Sequence, residues 1–248
     1  MEISLQGHVV VVTGGARRLG RAVAFACAAA GAEVAITYRS SRNEATETVA
    51  ELEKAAPGRR FAAYPCEVSA PAEVHLLASS VIRDFGFVSD LVNSAAIFRR
   101  TPFAELTEGD FNDHIASNLK GPYLTCKTFG DLFLARGAGS IVNFGDIYGE
   151  RPLANYLPYC ISKAGVLMLT RSVAKALAPN VRCNCICPGT ILAPSETQDG
   201  AGEAPVGRIP FGRMGTPEEI AETVVFLLGG PAFITGVILP VDGGQILT

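Results

Sequence analysis

Apolar positions along the chain change period in a regular way. Residues 8–13 form a β-branched run, Gly-rich punctuation follows, and the alanine-rich stretch 19–30 then carries helical spacing. A second strand-like run covers 33–38, so the chain opens on a strand, a helix and a strand. The alternation continues through a helix at 41–55, a strand at 61–66, a helix at 72–85 and a short strand ending at Asn93. The second half repeats it: helix 110–133, strand 140–144, helix 156–177, strand 181–187, helix 217–228 and a last strand 237–241. Such alternation predicts an α/β fold, a parallel doubly wound sheet with helices on both faces.

The 248 residues, 48% hydrophobic, suit one domain, and neither an interdomain linker nor a sequence repeat appears. One segment breaks the rhythm. Residues 193–215 are rich in Pro, Gly and polar side chains and have no clear period; in an open α/β sheet such a loop surrounds the ligand, so a substrate lid is expected, with a disordered excursion as the alternative.

A net charge of -3 and scattered arginines argue against a nucleic-acid surface and for a small-molecule substrate. No positively charged leader precedes the first apolar run and no apolar segment reaches membrane length, so a soluble, cytoplasmic protein is expected. Seven cysteines with no repeating framework predict reduced thiols. Cys183, Cys185 and Cys187 recur at a spacing of two, which sets them in a row along one strand face rather than around a tetrahedral ion. They read as small buried hydrophobes, as does Cys160, and no metal is expected.

The turn after the first strand reads TGGARRLG. Gly14 permits the tight turn, Gly20 permits close helix packing, and the helix N-terminus offers N–H groups and a positive dipole to a pyrophosphate. A middle glycine is missing; Arg18 stands in its place. At the end of the second strand, where an acid would hold the ribose hydroxyls of NAD, the chain has Tyr38, Arg39, Ser40 and Ser41. Arg39 can pair with the extra phosphate of NADP, Ser40 can donate to it, and Arg17 lies in the facing turn, so NADP is the expected cofactor. Tyr159 and Lys163, four apart in YCISK, share a helix face and can meet over one substrate as a proton donor and its partner. The ammonium lowers the phenol's pKa, while a carboxylate, Asp146, pushes it back up unless protonated or engaged elsewhere.

Together the glycine turn, NSAA from Asn93, Asn118 in NLKGPY, Tyr159 with Lys163, and Pro188-Gly189 followed by VDGG resemble the short-chain dehydrogenases/reductases over the whole chain. Within them the likeness is to pteridine reductases, on Arg18 in TGxxxRxG, Phe98 after NSAAI, Asp146 in place of a serine, and GDIYGERPL. Ala95-Ala96, Glu67 in place of an aspartate, and Ala193 in place of a threonine depart from the wider pattern.

The resemblance implies a single Rossmann-type domain over 1–248 and an NADPH site built from Gly14, Arg17, Arg18, Leu19, Gly20, Tyr38, Arg39, Ser40, Glu67, Val68, Asn93, Ala95, Tyr159, Lys163, Pro188 and Gly189. It implies hydride transfer to a C=N bond, with Tyr159 or water protonating the nitrogen and Lys163 holding the nicotinamide ribose. Asn118 would anchor a water for reprotonation, and Asp146 would orient Tyr159 or share its proton. Phe98 would be a stacking platform for the pterin, core packing being its alternative, with Arg18 near the pterin or a phosphate. A rival is a carbonyl reductase, for example of 3-oxoacyl thioesters, where the serine donates to the carbonyl oxygen, as an ionised aspartate cannot. A catalytically silent NADP-binding regulatory protein is a third reading, against which the complete Tyr159, Lys163 and Asn118 set argues. The resemblance also implies a homotetramer, packed through helices 110–133 and 156–177 and through the C-terminal helix and strand.

Overall fold

The computed structural model describes residues 3–191 and 206–248. Its centre is one sheet of seven parallel strands: β1 (Val9–Thr13), β2 (Glu33–Tyr38), β3 (Phe61–Pro65), β4 (Asp90–Asn93), β5 (Gly139–Phe144), β6 (Val181–Pro188) and β7 (Ile238–Val241), in the order β3-β2-β1-β4-β5-β6-β7. The interior strand β1 reads VVVVT and is buried throughout, because helices cover both of its faces and neither side can be polar. Its register sets Val12 beside Ile36 on one side and Val92 on the other.

The helices are α1 (Arg18–Ala29), α2 (Arg42–Ala55), α3 (Pro71–Phe85), α4 (Glu108–Ile115), α5 (Gly121–Arg136), α6 (Leu157–Leu177) and α7 (Pro217–Gly229). One core lies between the sheet and α1, α2 and α7, with Val23, Ile36, Val142 and Ile220. On the opposite face α3, α5 and α6 bury Leu77, Phe129, Phe133 and Cys183. Sequence signals explain several ends: Thr107 and Thr216 each close a capping box with the acid three residues on, and Pro217 begins α7 where its missing N–H is harmless.

The helix expected over 110–133 is divided. Between α4 and α5 the residues Ala116–Lys120 form a π-helical turn in which Gly121 N–H bonds the Ala116 carbonyl. Pro122 has no N–H to give the Asn118 carbonyl, so the regular ladder cannot continue there. This widened turn lies at the end of the sheet where the site residues gather.

Strand order reverses direction of growth between β1 and β4, whose carboxyl ends open a crevice. There the Thr13 hydroxyl accepts the N–H groups of Ser94 and Ala95, binding the turn after β1 to the loop after β4.

Candidate active site

Asp146 follows β5 and caps a short helical turn, Ile147–Gly149. Its Oδ1 accepts the Tyr148 N–H at 2.9 Å and its Oδ2 accepts the Tyr159 hydroxyl at 2.5 Å. Tyr159 stands in the first turn of α6, and Lys163 one turn later donates from Nζ to the Phe144 carbonyl at 2.8 Å. The three groups chosen from the sequence therefore do meet. Tyr159 and Lys163 are both buried, whereas Asp146 keeps an opening to solvent in an otherwise walled position.

Burial governs the ionisation of all three. It raises the Asp146 carboxyl above its ordinary range against the opposing hydrogen bonds of Tyr159 and Tyr148 and the charge of Lys163. It lowers Lys163, with Asp146 opposing. For Tyr159, burial first and then the Asp146 carboxylate push the phenol well above its usual value. The expected lowering by Lys163 is outweighed: Nζ lies 5.7 Å from the ring centroid, while the carboxylate takes the hydroxyl hydrogen directly. Tyr159 is thus held as a protonated donor.

Asn118, on the π turn, has every side-chain group engaged. Its Oδ1 accepts the Ile97 N–H at 2.8 Å, and its Nδ2 donates to the Ile97 carbonyl at 2.9 Å and to Ser162 Oγ at 3.2 Å. Ser162 Oγ in turn donates to the Tyr159 carbonyl at 2.6 Å. The amide clamps the loop after β4 to α6, so only the Asn118 main chain is left for the water-anchoring role expected of it. That loop carries Phe98, which stacks on Tyr156 at 4.4 Å and 12° and meets the Tyr159 ring edge-on at 4.8 Å. A second tie, Thr101 N–H to the Asn155 carbonyl at 2.6 Å, fixes the same loop. Phe98 is 37% exposed, so it lines the site mouth rather than the core.

Two neighbours carried no sequence signal. Ser162 is one. The other is His114, fully buried on α4, whose Nδ1 lies 2.8 Å from the Asp110 carbonyl and whose ring centroid is 6.5 Å from that of Tyr159. Its Nε2 has no partner among the described residues. A lone histidine in an amphipathic helix resembles any core residue, and only packing brings it to Tyr159.

Beside these groups lies a cradle for a dinucleotide. A Cβ on Gly20 would stand 2.3 Å from the Gly14 carbonyl oxygen, and one on Gly14 would stand 2.9 Å from Ala95 Cα, so both must be glycine for turn, helix and loop to close. Arg18 adopts φ 52, the left-handed conformation a glycine would take freely, at a cost of about 1–2 kcal/mol. α1 begins without a side-chain cap and without an acid in its first turn, leaving its N–H groups toward the crevice. The residues fit a pyrophosphate.

At the end of β2, Arg39 lies 3.5 Å from Glu67, and a cavity of about 200 Å³ is lined by Arg39, Glu67, Ser69, Ile97 and Arg99. Partial burial opposes ionisation of Glu67, but the Ser69 N–H and hydroxyl and the Arg39 charge hold its carboxyl below the usual range. Arg17 lies 3.6 Å from Glu44, and Ser40 is exposed beside Arg39. Leu19 packs against the core, Tyr38 is half-buried, and Val68 is buried against Gly121, so these three shape the cradle. Asn93 ends β4 and is buried. Its amide bonds Asn143 at 2.9 Å and accepts from Thr125 at 2.7 Å, inside the sheet rather than toward the crevice. Gly189 takes no side chain because a Cβ would stand 2.7 Å from Asp242 and from Gln245, which fixes the course of Pro188-Gly189 after β6.

Cys183, Cys185 and Cys187 are buried in β6, as a packing role requires, and the described residues hold no group of three or more possible metal ligands. No described helix is long and apolar enough to cross a membrane. Ala193 and most of the expected lid lie outside the described residues.

The family model described as enoyl-(acyl carrier protein) reductase matches residues 14–245. Among curated proteins, carbonyl reductase family member 4 of Danio rerio is 37% identical over 96% of this chain and 97% of its own length. A 3-oxoacyl-[acyl-carrier-protein] reductase of Synechocystis is 35% identical over 98% of this chain and 99% of its own. A crystal structure from Sinorhizobium meliloti, provisionally described as a short-chain alcohol dehydrogenase, superposes with a TM-score of 0.92 at 30% identity and covers both chains completely.

Proposed function

The chain belongs to the short-chain dehydrogenase/reductase family of oxidoreductases, and from that premise we propose that it is an NADPH-dependent reductase of a carbon–nitrogen double bond in a pterin-like ring. The observation that carries this reading is the bond from Tyr159 to Asp146. A carboxylate only accepts hydrogen bonds, so beside the proton donor it suits a ring bearing N–H groups better than a ketone oxygen.

NADPH, when bound, supplies the hydride. The glycine turn would hold its pyrophosphate with Arg17 and Arg18, Arg39 would pair with the additional phosphate, and Lys163 would position the nicotinamide ribose. Phe98, fixed by Tyr156 behind it, offers its exposed side to a planar ring. Tyr159 gives its hydroxyl proton to the substrate nitrogen, and Asp146 aligns that hydroxyl and accepts from a neighbouring ring N–H.

The named activities of the relatives support a second reading, reduction of a carbonyl such as a 3-oxoacyl thioester, more directly than the first. One feature of the site is compatible with it: the raised pKa of Asp146 makes a protonated, donating carboxyl accessible. The two readings predict opposite pH dependence. If Asp146 works as an acceptor, turnover falls as pH drops through its raised pKa; if it must donate, turnover falls as pH rises through it.

The test is NADPH oxidation with dihydrobiopterin, dihydrofolate and a short 3-oxoacyl thioester across pH, repeated with NADH. Faster turnover of the pterins is expected. Turnover of the thioester alone, lost toward high pH, would establish the second reading, and NADPH binding with no turnover of any substrate would establish a purely binding role.

A further inference from the structure

We propose that Arg151 and Arg208 form an anion-recognising rim on the substrate side of the site, so that the substrate carries a carboxylate or phosphate arm beyond its reacting group. The inference rests on the reading above for the reacting group but not for the arm.

The chain segments leaving β5, β6 and β7 converge on the short C-terminal turn Gln245–Leu247. Gln245 Oε1 accepts the Thr190 N–H at 2.9 Å and its Nε2 donates to Thr190 Oγ1 at 3.1 Å, tying the turn to the exit of β6. Arg151 approaches from the β5 side: its N–H bonds the Ile147 carbonyl, and its Nη1 donates to the carbonyls of Gln245 at 2.9 Å and Ile246 at 3.1 Å. Arg208 is held from the other side, where the Thr248 hydroxyl donates to its carbonyl at 2.7 Å. Between them, Tyr148 and Ile246 pack on the same apolar cluster, and the Tyr148 N–H is the one given to Asp146. Both arginines thus flank the C-terminal turn beside Tyr148, the residue whose N–H is bonded to the Asp146 carboxylate.

Among the described residues neither arginine forms an ion pair, whereas Arg17, Arg39, Arg60, Arg99 and Arg213 each have one. The acid of the turn itself, Asp242, is taken up by the N–H groups of Gly244 and Ile246. Both guanidinium fields reach the Tyr148 phenol, which they pull downward although burial and Asp146 raise it overall. Arg151 is also pre-oriented: with Nη1 fixed on two carbonyls, its remaining N–H groups keep a set direction, and a guanidinium so held binds carboxylate or phosphate at little cost in entropy.

The experiment compares molecules that share a reacting group and differ in charge. Dihydrofolate is set against its dimethyl ester, and a 3-oxoacyl-coenzyme A against the corresponding 3-oxoacyl pantetheine, by turnover with NADPH and by calorimetric titration of the NADP-saturated protein. The expected result is a preference of about tenfold for the charged member, in KM rather than kcat, which shrinks at high salt and collapses in Arg208→Met. Arg208→Met removes a side chain with no described hydrogen-bond partner, so folding is not at issue; Arg151→Met, which also frees the C-terminal turn, is the second variant. Equal affinity for acid and ester, or a preference unchanged in both variants, overturns the inference and leaves the pterin reading standing. A charge preference seen only with the thioester pair would overturn the pterin reading and keep the rim. Failure of every charged and neutral molecule to bind overturns both.

Discussion

A single carboxylate sets the character of this site. Asp146 is destabilised as an anion by burial, yet it is the group to which Tyr159 donates. A carboxyl whose folded-state pKa is raised contributes stability below its unfolded pKa and loses it as pH rises through the folded one. At neutral pH Asp146 therefore works against folding. Asp146→Ser should lower pterin turnover at least tenfold, leave NADPH affinity nearly unchanged, and raise stability at pH 7 by on the order of 1 kcal/mol, read by steady-state kinetics, cofactor titration and calorimetry. Retained pterin activity would remove the role assigned to it. Arg39 lies at the end of β2 beside Glu67, where the proposed cofactor reading places the additional phosphate. Arg39→Ala should weaken NADPH about tenfold or more and NADH hardly at all, by fluorescence titration, because only NADPH carries the phosphate a guanidinium would pair with. Equal losses for both would point to adenine stacking instead.

At the scale of elements, the π turn between α4 and α5 organises the pocket. It places Asn118 so that one amide holds Ile97 by both main-chain groups and reaches Ser162 on α6. The loop bearing Phe98 and the first turn of α6 bearing Tyr159 are thereby fixed to each other. Asn118→Leu leaves the N–H and carbonyl of Ile97 without partners, at a cost of about 2–4 kcal/mol. Urea unfolding should show that loss, and kcat should fall more than NADPH affinity, since the turn after β1 keeps its own ties to Ser94 and Ala95 through the Thr13 hydroxyl. The motif around Asn118 was legible in the sequence, but its mechanical role was not. Helical periodicity runs through 110–133 without interruption, and only the geometry around Pro122 shows where the ladder breaks.

For the whole molecule, the end of the sheet opposite the site carries a separate charge pair, where His8 Nδ1 lies 2.7 Å from the buried Asp90 carboxylate, which also accepts from Ser89. The Asp90 hydrogen bond raises the His8 pKa, against partial burial and the charges of Arg136 and Arg182. The resulting stability is present in full below the unfolded histidine pKa and is lost as pH rises through the raised folded value. Melting temperature should thus decline gently over that interval in the wild type and not in His8→Gln, the difference staying below about 1 kcal/mol because the imidazole is partly solvated. The sequence by itself determined the order and type of every strand and most helices, because a sheet covered on both faces demands short, mainly apolar runs and its covering helices demand a 3.6-residue period. It also determined the meeting of Tyr159 with Lys163 and the glycine turn, which are local along the chain. Only the tertiary structure decided what depends on distant segments coming together: that Asp146 rather than Lys163 governs the Tyr159 proton, that Asn93 turns into the sheet, that His114 reaches Tyr159, and that Arg151 and Arg208 share one C-terminal turn. Hydrogen bonds and burial between residues far apart in sequence leave no period to read, so their outcome exists only once the chain has packed.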